Sequence, residues 1–349
     1  MAKTLKVGVI GVGGISGTHF PGWQASPLVE MVAFSDIRPD VLKRVAKEQG
    51  VKKTYERPED LIADPDIDIV DVCTPNMFHT PLTVAALEAG KHVICEKPLA
   101  PTPAAIWKMI RARNKAKKLL MTAQHFRFDG RAEALKAEIN RGTLGDIYHA
   151  RAWWIRRSAA PVGPGFIYKK NSGGGPCIDI GVHVLDLSLF MMDFPKPVTV
   201  TGVSRDILAH QPGAFSPWGG AIPPDYDVED FAAAFVRFDN GATMSLEVSW
   251  MLHHKTPGDD IQMWLYGDKG GSHWPSNEVL TTDNQVRQHY NTQLQNAGSH
   301  APHAKECMVF AEAVANGGPS PVPAEQSLIV ISILDGLYRS SAAGREIEL

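Results

Sequence analysis

Three side chains in this sequence have types and spacings suited to moving a proton. Lys97 sits in the triplet Glu96-Lys97-Pro98, directly after the apolar run 92–95. A Glu-Lys pair closing a buried strand is unexpected from packing alone. A lysine set against an apolar wall and a cationic ring has its ammonium form disfavoured, which suits it to proton transfer or to donating to a hydroxyl. Pro98 pins the local backbone. Asp179 and His183 stand four apart, with Asp186 three further on, so a helix puts all three on one face. The run opens with Gly173-Gly174-Gly175, read as a flexible entry to the helix, and Ile178, Val182, Leu185 and Leu189 form an apolar stripe along it. Imidazole is the natural general base near neutral pH, and a neighbouring carboxylate orients it. A solvated loop lysine and a satisfied core histidine are the alternatives that residue type leaves open. Zinc would want more histidine or cysteine nearby, so no metal is expected.

A second set of residues suits the grip on a dinucleotide. The segment Val7 to Ser16 runs from a short apolar strand into Gly11-Val12-Gly13-Gly14-Ile15 and then a helix. Gly11 permits a tight turn, Gly13 lets the backbone approach a pyrophosphate, and the helix start offers free N–H groups. Ser16 takes the place of the third glycine and is small enough for close packing. Asp36 ends the next strand, where a carboxylate accepts from a ribose diol and repels a 2′-phosphate. It favours NAD, although Arg38 partly offsets the repulsion and leaves NADP open. A charge at the start of the helix opened by Pro39 is the other reading of Asp36. Cys73-Thr74-Pro75-Asn76 with His79 ends a further strand, at the edge where open parallel sheets bind ligands. The expected cofactor surface is therefore Gly11, Gly13, Gly14, Ile15, Asp36, Ile37, Arg38, Thr74, Pro75, Asn76, His79, Glu96 and Lys97.

The elements that must position these residues follow from hydrophobic patterning. Strand-like runs at 6–10, 30–35, 67–73, 92–95 and 119–124 alternate with helix-like stretches at 14–25, 39–49, 81–89 and 102–116. Such alternation predicts a doubly wound α/β domain with a parallel sheet over residues 1–124. Gly50 and Gly90 read as helix C-caps, and Thr80-Pro81 and Thr102-Pro103 as N-cap followed by proline. Beyond residue 125 the texture changes. A helix at 131–140 precedes β runs at 147–155, 198–204, 231–238, 243–250 and 262–266, with a hairpin signal at Asp239-Asn240-Gly241. With helices at 178–192, 303–316 and 325–342, residues 125–349 read as an α/β domain built on a mostly antiparallel open sheet.

Composition limits the classes. At 349 residues with 44% hydrophobic side chains, the chain fills two domains with sizeable cores. A net charge of -3 lacks the basic excess expected of a nucleic-acid binder. Four cysteines without paired spacing favour a reducing compartment. The apolar run 7–10 is too short for a signal-peptide core, and no apolar stretch nears the roughly 20 residues of a membrane span. A cytoplasmic location is expected, with neither membrane nor nucleic acid as partner.

Taken together the motifs resemble the Gfo/Idh/MocA family, named for glucose–fructose oxidoreductase and inositol dehydrogenase. The resemblance rests on the Gly11–Ser16 turn, Thr74-Pro75-Asn76 with His79, Glu96-Lys97-Pro98, and Asp179-x-Gly181-x-His183. It implies a Rossmann domain followed by an α/β domain whose open sheet mediates a homodimer or homotetramer. It implies that Lys97 is catalytic, that Asp179 supports it, and that His183 accepts a proton while hydride passes between nicotinamide and a secondary alcohol of a sugar, glycoside or cyclitol. Substrate-shaping segments fall at 151–168 and 210–230, where Trp153, Trp154, Arg156, Arg157, Tyr168 and Trp218 suit a polyhydroxylated ligand. Arg127, Trp153, Arg156, Tyr168, Asp179 and His183 are the candidate substrate contacts. The overall texture most resembles members oxidising pyranosides or glycosides at ring C3, with an inositol substrate next. A dinucleotide sensor and an NAD-recycling glycoside-cleaving enzyme are the competing classes; the first has no use for a proton relay.

Overall fold

In the computed structural model, residues 4–349 are described apart from 257, 297 and 299, so the first three residues of the expected first domain lie outside the described residues. The chain divides into two units. The first comprises 1–128 and 300–328, and the second 129–299 and 329–349. The segment 300–328, which a linear reading gives to the second domain, thus belongs with the first.

The first unit carries the alternating pattern. Its strands are β1 (Leu5–Ile10), β2 (Val29–Ser35), β3 (Lys53–Tyr55), β4 (Ile69–Val72), β5 (His92–Glu96) and β6 (Leu120–Ala123), and its helices α1 (Ser16–Ala25), α2 (Pro39–Gln49), α3 (Pro58–Ala63), α4 (His79–Glu88) and α5 (Pro103–Ala116). All strand pairs are parallel, in the order β3-β2-β1-β4-β5-β6. Val7, Val9, Ile69, Val70, Val72, Val93 and Ile94 are fully buried, as a sheet covered on both faces requires. Each such side chain contributes about 1.5–3 kcal/mol. The order reverses between β1 and β4, so the turns after those strands flank the crevice where open α/β sheets bind ligands.

Helix ends follow the sequence in part. Thr102 Oγ1 accepts from Ala105 N, and Gly50 takes a left-handed conformation. Helix α4 starts two residues earlier than expected, at His79, through a 3-10 turn at Asn76–Phe78 and without a side-chain cap from Thr80. The turn shares the work of an N-cap by satisfying free N–H groups with i→i+3 bonds.

The second unit follows α6 (Gly130–Asn140) with β7 (Ile147–Ile155), the short helices α7 (Pro164–Ile167) and α8 (Lys169–Ser172), a π-helical turn at Cys177–Gly181 and α9 (Val182–Met191). Then come β8 (Pro197–Arg205), a small hairpin of β9 (Phe215–Ser216) and β10 (Gly220–Ala221), β11 (Phe231–Phe238), β12 (Thr243–Ser249), β13 (Asp260–Gly267), β14 (Gly270–Trp274), β15 (Glu278–Asp283) and β16 (Gln288–Gln293). The chain returns to the first unit through α10 (Pro302–Asn316), and α11 (Ala324–Ala343) leads to β17 (Ile347–Glu348). Nine strands form one sheet in the order β16-β15-β14-β13-β7-β12-β11-β8-β17, antiparallel except for β7 beside β12. Ala150, Ala152 and Trp154 of β7 and the even-numbered residues of β11 are buried while the residues between them are more exposed, so one face is packed and the other open. The stretch Lys169–Met191 is long and apolar enough to cross a membrane, but 89% of its most apolar part is buried within the protein. It is a core helix, and the apolar stripe expected along it is in fact an almost wholly buried surface.

Candidate functional site

The turn after β1 has the geometry a pyrophosphate needs. Gly11 has φ +85°, and a Cβ there would lie 2.7 Å from Cys73 O, so only glycine lets β1 and the turn after β4 approach. A Cβ on Gly13 would meet only Arg38 Nη2, at 3.5 Å, and one on Gly14 would meet nothing within 4 Å. Their backbone therefore lies open to a ligand. Ser16 Oγ donates to Gly13 O at 2.8 Å and ties the turn to α1, which explains why serine serves in the third position.

Asp36 at the end of β2 is buried, and its carboxylate accepts from Val12 N at 3.1 Å and from Arg38 N, Nε and Nη2 at 2.9, 3.1 and 3.1 Å. Burial pulls its pKa upward, but the Arg38 and Val12 bonds outweigh it and hold the carboxyl below the usual range. A permanent negative charge thus sits where a ribose diol would bind, with the half-exposed Arg38 folded across it. Ile37 beside them is 77% exposed, an apolar surface with no role in the core. These features fit a dinucleotide.

Two expected cofactor contacts are turned inward instead. His79 is fully buried, with Nδ1 2.8 Å from Pro98 O and Nε2 2.8 Å from Thr74 O. Burial pushes its pKa down, against the pull of the two carbonyl oxygens, and the ring links the Thr74 turn to Pro98. Glu96 is buried beneath Lys97, where Oε1 lies 3.0 Å from His19 Nε2 and Oε2 accepts from Lys97 N at 2.9 Å. Burial works against its charge, but His19 outweighs it and holds the pKa at about 2. Thr74, Asn76 and Lys97 are partly exposed at the ends of β4 and β5, and the Lys97–Pro98 peptide is cis. His125 and His303 stack at 3.8 Å. Burial, reinforced by the pair's mutual repulsion at His125, pushes them down to about 3 and about 4. Arg127, a substrate candidate, is buried and donates from Nη1 to Gln326 Oε1 at 2.6 Å.

In the second unit Asp179 and His183 lie on consecutive turns of different pitch. Asp179 belongs to the π-turn Cys177–Gly181, and His183 to the first turn of α9. A π-turn advances fewer degrees per residue than an α-helix, so Asp179 meets His183 and Asp186 in a different register from that of the uninterrupted α-helix expected. Such turns recur at functional sites. Gly173 takes a left-handed conformation at φ +88°, and the next two glycines are demanded by packing rather than flexibility. A Cβ on Gly174 would lie 2.2 Å from Tyr338 Oη, and one on Gly175 2.1 Å from Glu229 O. The buried Glu229 accepts from Gly175 N at 2.9 Å and Cys177 N at 3.0 Å, capping the segment, and also from Tyr338 Oη at 2.8 Å. Nothing in the run around Glu229 announces this cap.

The aromatic candidates separate by strand parity. Trp154 faces the packed side of β7, with its ring 5.8 Å from that of His183. Its Nε1 donates to Asp259 Oδ1 at 2.8 Å, and the same carboxylate pairs with Arg156 Nε. The Arg156 guanidinium is 5.3 Å from the Trp154 ring and 4.6 Å from that of Trp218, which is 60% exposed. His183, Trp154, Arg156 and Trp218 form a continuous row from a buried imidazole to an exposed indole. Trp153 points to the opposite face of the sheet, donates to Asp260 Oδ2 at 2.9 Å, and lines an open groove of about 270 Å³ with Arg151, Phe235 and Glu247. It is removed from the His183 side by the strand itself. Tyr168 donates to Asp225 Oδ2 at 3.0 Å.

Two family models match the chain. Residues 5–124 match the family model described as an oxidoreductase family with an NAD-binding Rossmann fold, and residues 132–273 match the GFO/IDH/MocA C-terminal domain. The chain belongs to the Gfo/Idh/MocA family. It is 32% identical to D-glucoside 3-dehydrogenase of Escherichia coli K12, over 100% of this chain and 98% of that protein. It is 31% identical to myo-inositol 2-dehydrogenase of Thermotoga maritima, over 76% of this chain and 74% of that protein. Among solved structures, levoglucosan dehydrogenase in complex with NADH and levoglucosan superposes with a TM-score of 0.84 at 25% identity, covering 99% of each chain. As a member of the Gfo/Idh/MocA family, the protein is an NAD-dependent oxidoreductase acting on alcohol groups.

Proposed function

We propose that the protein oxidises a secondary hydroxyl of a pyranoside, with a glucoside attacked at ring C3 as the substrate the chain suits best. The row His183–Trp154–Arg156–Trp218 carries this reading. It sets an imidazole beside an aromatic face for the C–H edges of a sugar, then a guanidinium for its hydroxyls, then a second, exposed aromatic face. End-to-end similarity to a D-glucoside 3-dehydrogenase supports it.

The Gly11 turn, Asp36, Ile37, Arg38 and the Thr74–Asn76 turn would hold NAD, which when bound would supply the hydride acceptor. His183 takes the hydroxyl proton on a ring nitrogen. The family resemblance gives Lys97 the role of donating to the reacting oxygen and stabilising the developing alkoxide, and Asp179 a supporting role. The carbinol C–H pair leaves as hydride, so the alcohol loses one proton and one hydride and becomes a ketone. General acid–base help of this kind contributes about 10²–10⁴-fold. Copies joined through the open face of the nine-stranded sheet would give a homodimer or homotetramer, which light scattering tests. The four free, buried cysteines support the cytoplasm as its compartment.

The test is reduced-nicotinamide formation with alkyl glucosides, anhydrosugars and inositols, using NAD and NADP, with the product located by NMR. A 3-keto glucoside formed with NAD is expected. Aglycone release without net reduced cofactor would favour the glycoside-cleaving alternative, and no turnover with any sugar would overturn the reading.

A further inference from the structure

Beneath Lys97 lies a cluster of titratable groups that the reaction above leaves unused. His19 of α1 has no exposed surface, and both its ring nitrogens face carboxylates. Nδ1 is 3.0 Å from Asp71 Oδ2 on β4, and Nε2 is 3.0 Å from Glu96 Oε1 on β5. An ionised carboxylate only accepts, so an imidazole between two of them satisfies both only with a proton on each nitrogen. The Asp71 side is fixed from two further directions: Trp23 Nε1 donates to Oδ2 at 2.8 Å, and the Cys73 thiol to Oδ1 at 3.3 Å. The Glu96 side continues to the reaction, because Oε2 accepts the main-chain N–H of Lys97.

The remaining groups around the ring come from α10. Glu306 is fully buried, with Oε1 3.6 Å from His19 Nε2, and neither of its oxygens has a hydrogen-bond partner among the described residues. Cys307 follows it, and the His303 ring lies 6.2 Å from that of His19. One cation cannot balance three buried carboxylates without solvent. Glu306 lacks donors, and its burial pushes its pKa well up, so it is the carboxyl that stays neutral. Glu96, held at about 2, keeps its charge beside the imidazolium, and Asp71 faces the other ring nitrogen. Burial opposes the charge on His19, but Cys307, Asp71 and Cys73 outweigh it and raise the pKa well above the ordinary value.

We infer that His19 is a positioning residue for the reaction: as an imidazolium clamped between Asp71 and Glu96, it locks the carboxylate that fixes the main chain at Lys97 and so sets where the Lys97 ammonium is presented. The inference rests on the reading of Lys97 as the group that holds the reacting oxygen. Displacing a catalytic group by about 1 Å costs about 10²-fold in rate, so a neutral side chain at residue 19, unable to donate to both carboxylates, acts on turnover rather than on binding.

Three measurements on the full-length protein test this. In His19→Gln, kcat falls about 10²-fold while the sugar KM and the NAD affinity stay within about threefold. A merely structural role would lower the melting temperature and leave kcat per folded molecule unchanged, which overturns the inference. Should His19→Gln fail to fold, ¹⁵N-histidine NMR of the unaltered protein decides instead. Both ring nitrogens of His19 are protonated at about pH 8, above the ordinary histidine value; a single protonated nitrogen there overturns it. Lys97→Ala separates the two readings. If it retains turnover, the role of Lys97 is wrong; if it abolishes turnover while His19→Gln keeps it, the positioning role alone is wrong.

Discussion

The two units of this protein carry their chemistry in different ways. In the first, function is written into the backbone: a glycine at φ +85°, two glycines open above the turn, and a carboxylate at the end of β2. The second builds its site from long side chains that meet across distant segments. Glu229 reaches back to cap the helix bearing Asp179 and His183, and Asp259 joins Trp154 to Arg156. A cofactor shared by many enzymes calls for a conserved local geometry, whereas substrate recognition is assembled from tertiary contacts.

Substitutions in each unit should therefore fail differently. The largest effect is expected for His183→Ala, where kcat falls about 10²–10⁴-fold with NAD affinity retained, as measured by steady-state kinetics and NADH fluorescence titration. Lost NAD binding in that variant would break the division of labour. Gly11→Ala should do the opposite. Its Cβ falls 2.7 Å from Cys73 O in a left-handed backbone, which costs about 1–3 kcal/mol of stability and lowers NAD affinity about tenfold or more.

A smaller and more discriminating effect separates two neighbouring tryptophans. Trp154→Leu removes a face on which Arg156 stacks and should raise the sugar KM about tenfold. Trp153→Leu, on the open face of the sheet, should leave it within about twofold. Equal effects from both would show that strand parity does not govern the site.

The smallest effect concerns pH. His125 and His303 titrate near 3 and 4 in the fold, because burial keeps them neutral, but near 6.5 when unfolded. The unfolded chain therefore binds more protons as pH falls below about 6.5, and stability declines in that direction. Glu96, held at about 2, adds a second loss that begins only below its ordinary value of 4.5. Calorimetry should show the melting temperature dropping by a few degrees from pH 7 to pH 5, with a shallower drop in His125→Asn.

How much of this was legible in the sequence follows the same division. Alternating apolar runs gave five of the six parallel strands, and the glycine turn and Asp36 marked the nucleotide edge because local backbone geometry dictates those residue types. The short β3 and the polar strands β15 and β16 escaped, since Lys53–Tyr55 and Gln288–Gln293 carry little hydrophobic pattern. His79 and Glu96 were legible as important, but their inward orientation was not, because it depends on Pro98 O and His19 from other segments. Strand alternation alone separates Trp153 from Trp154, but which of the two faces His183 depends on how α9 packs on the sheet. The return of 300–328 to the first unit, bringing Glu306 beside His19, had no local signal at all.

Hydride transfer from the sugar ring to the cofactor can be followed with an isotope label. An alkyl glucoside carrying deuterium at C3 is incubated with the protein and NAD, and the reduced nicotinamide and the sugar are both examined by NMR. One deuterium at C4 of the reduced cofactor and a 3-keto glucoside as product are expected. Deuterium retained at C3 while reduced cofactor forms would show that another carbon is oxidised, and label lost to solvent without reduced cofactor would contradict hydride transfer itself.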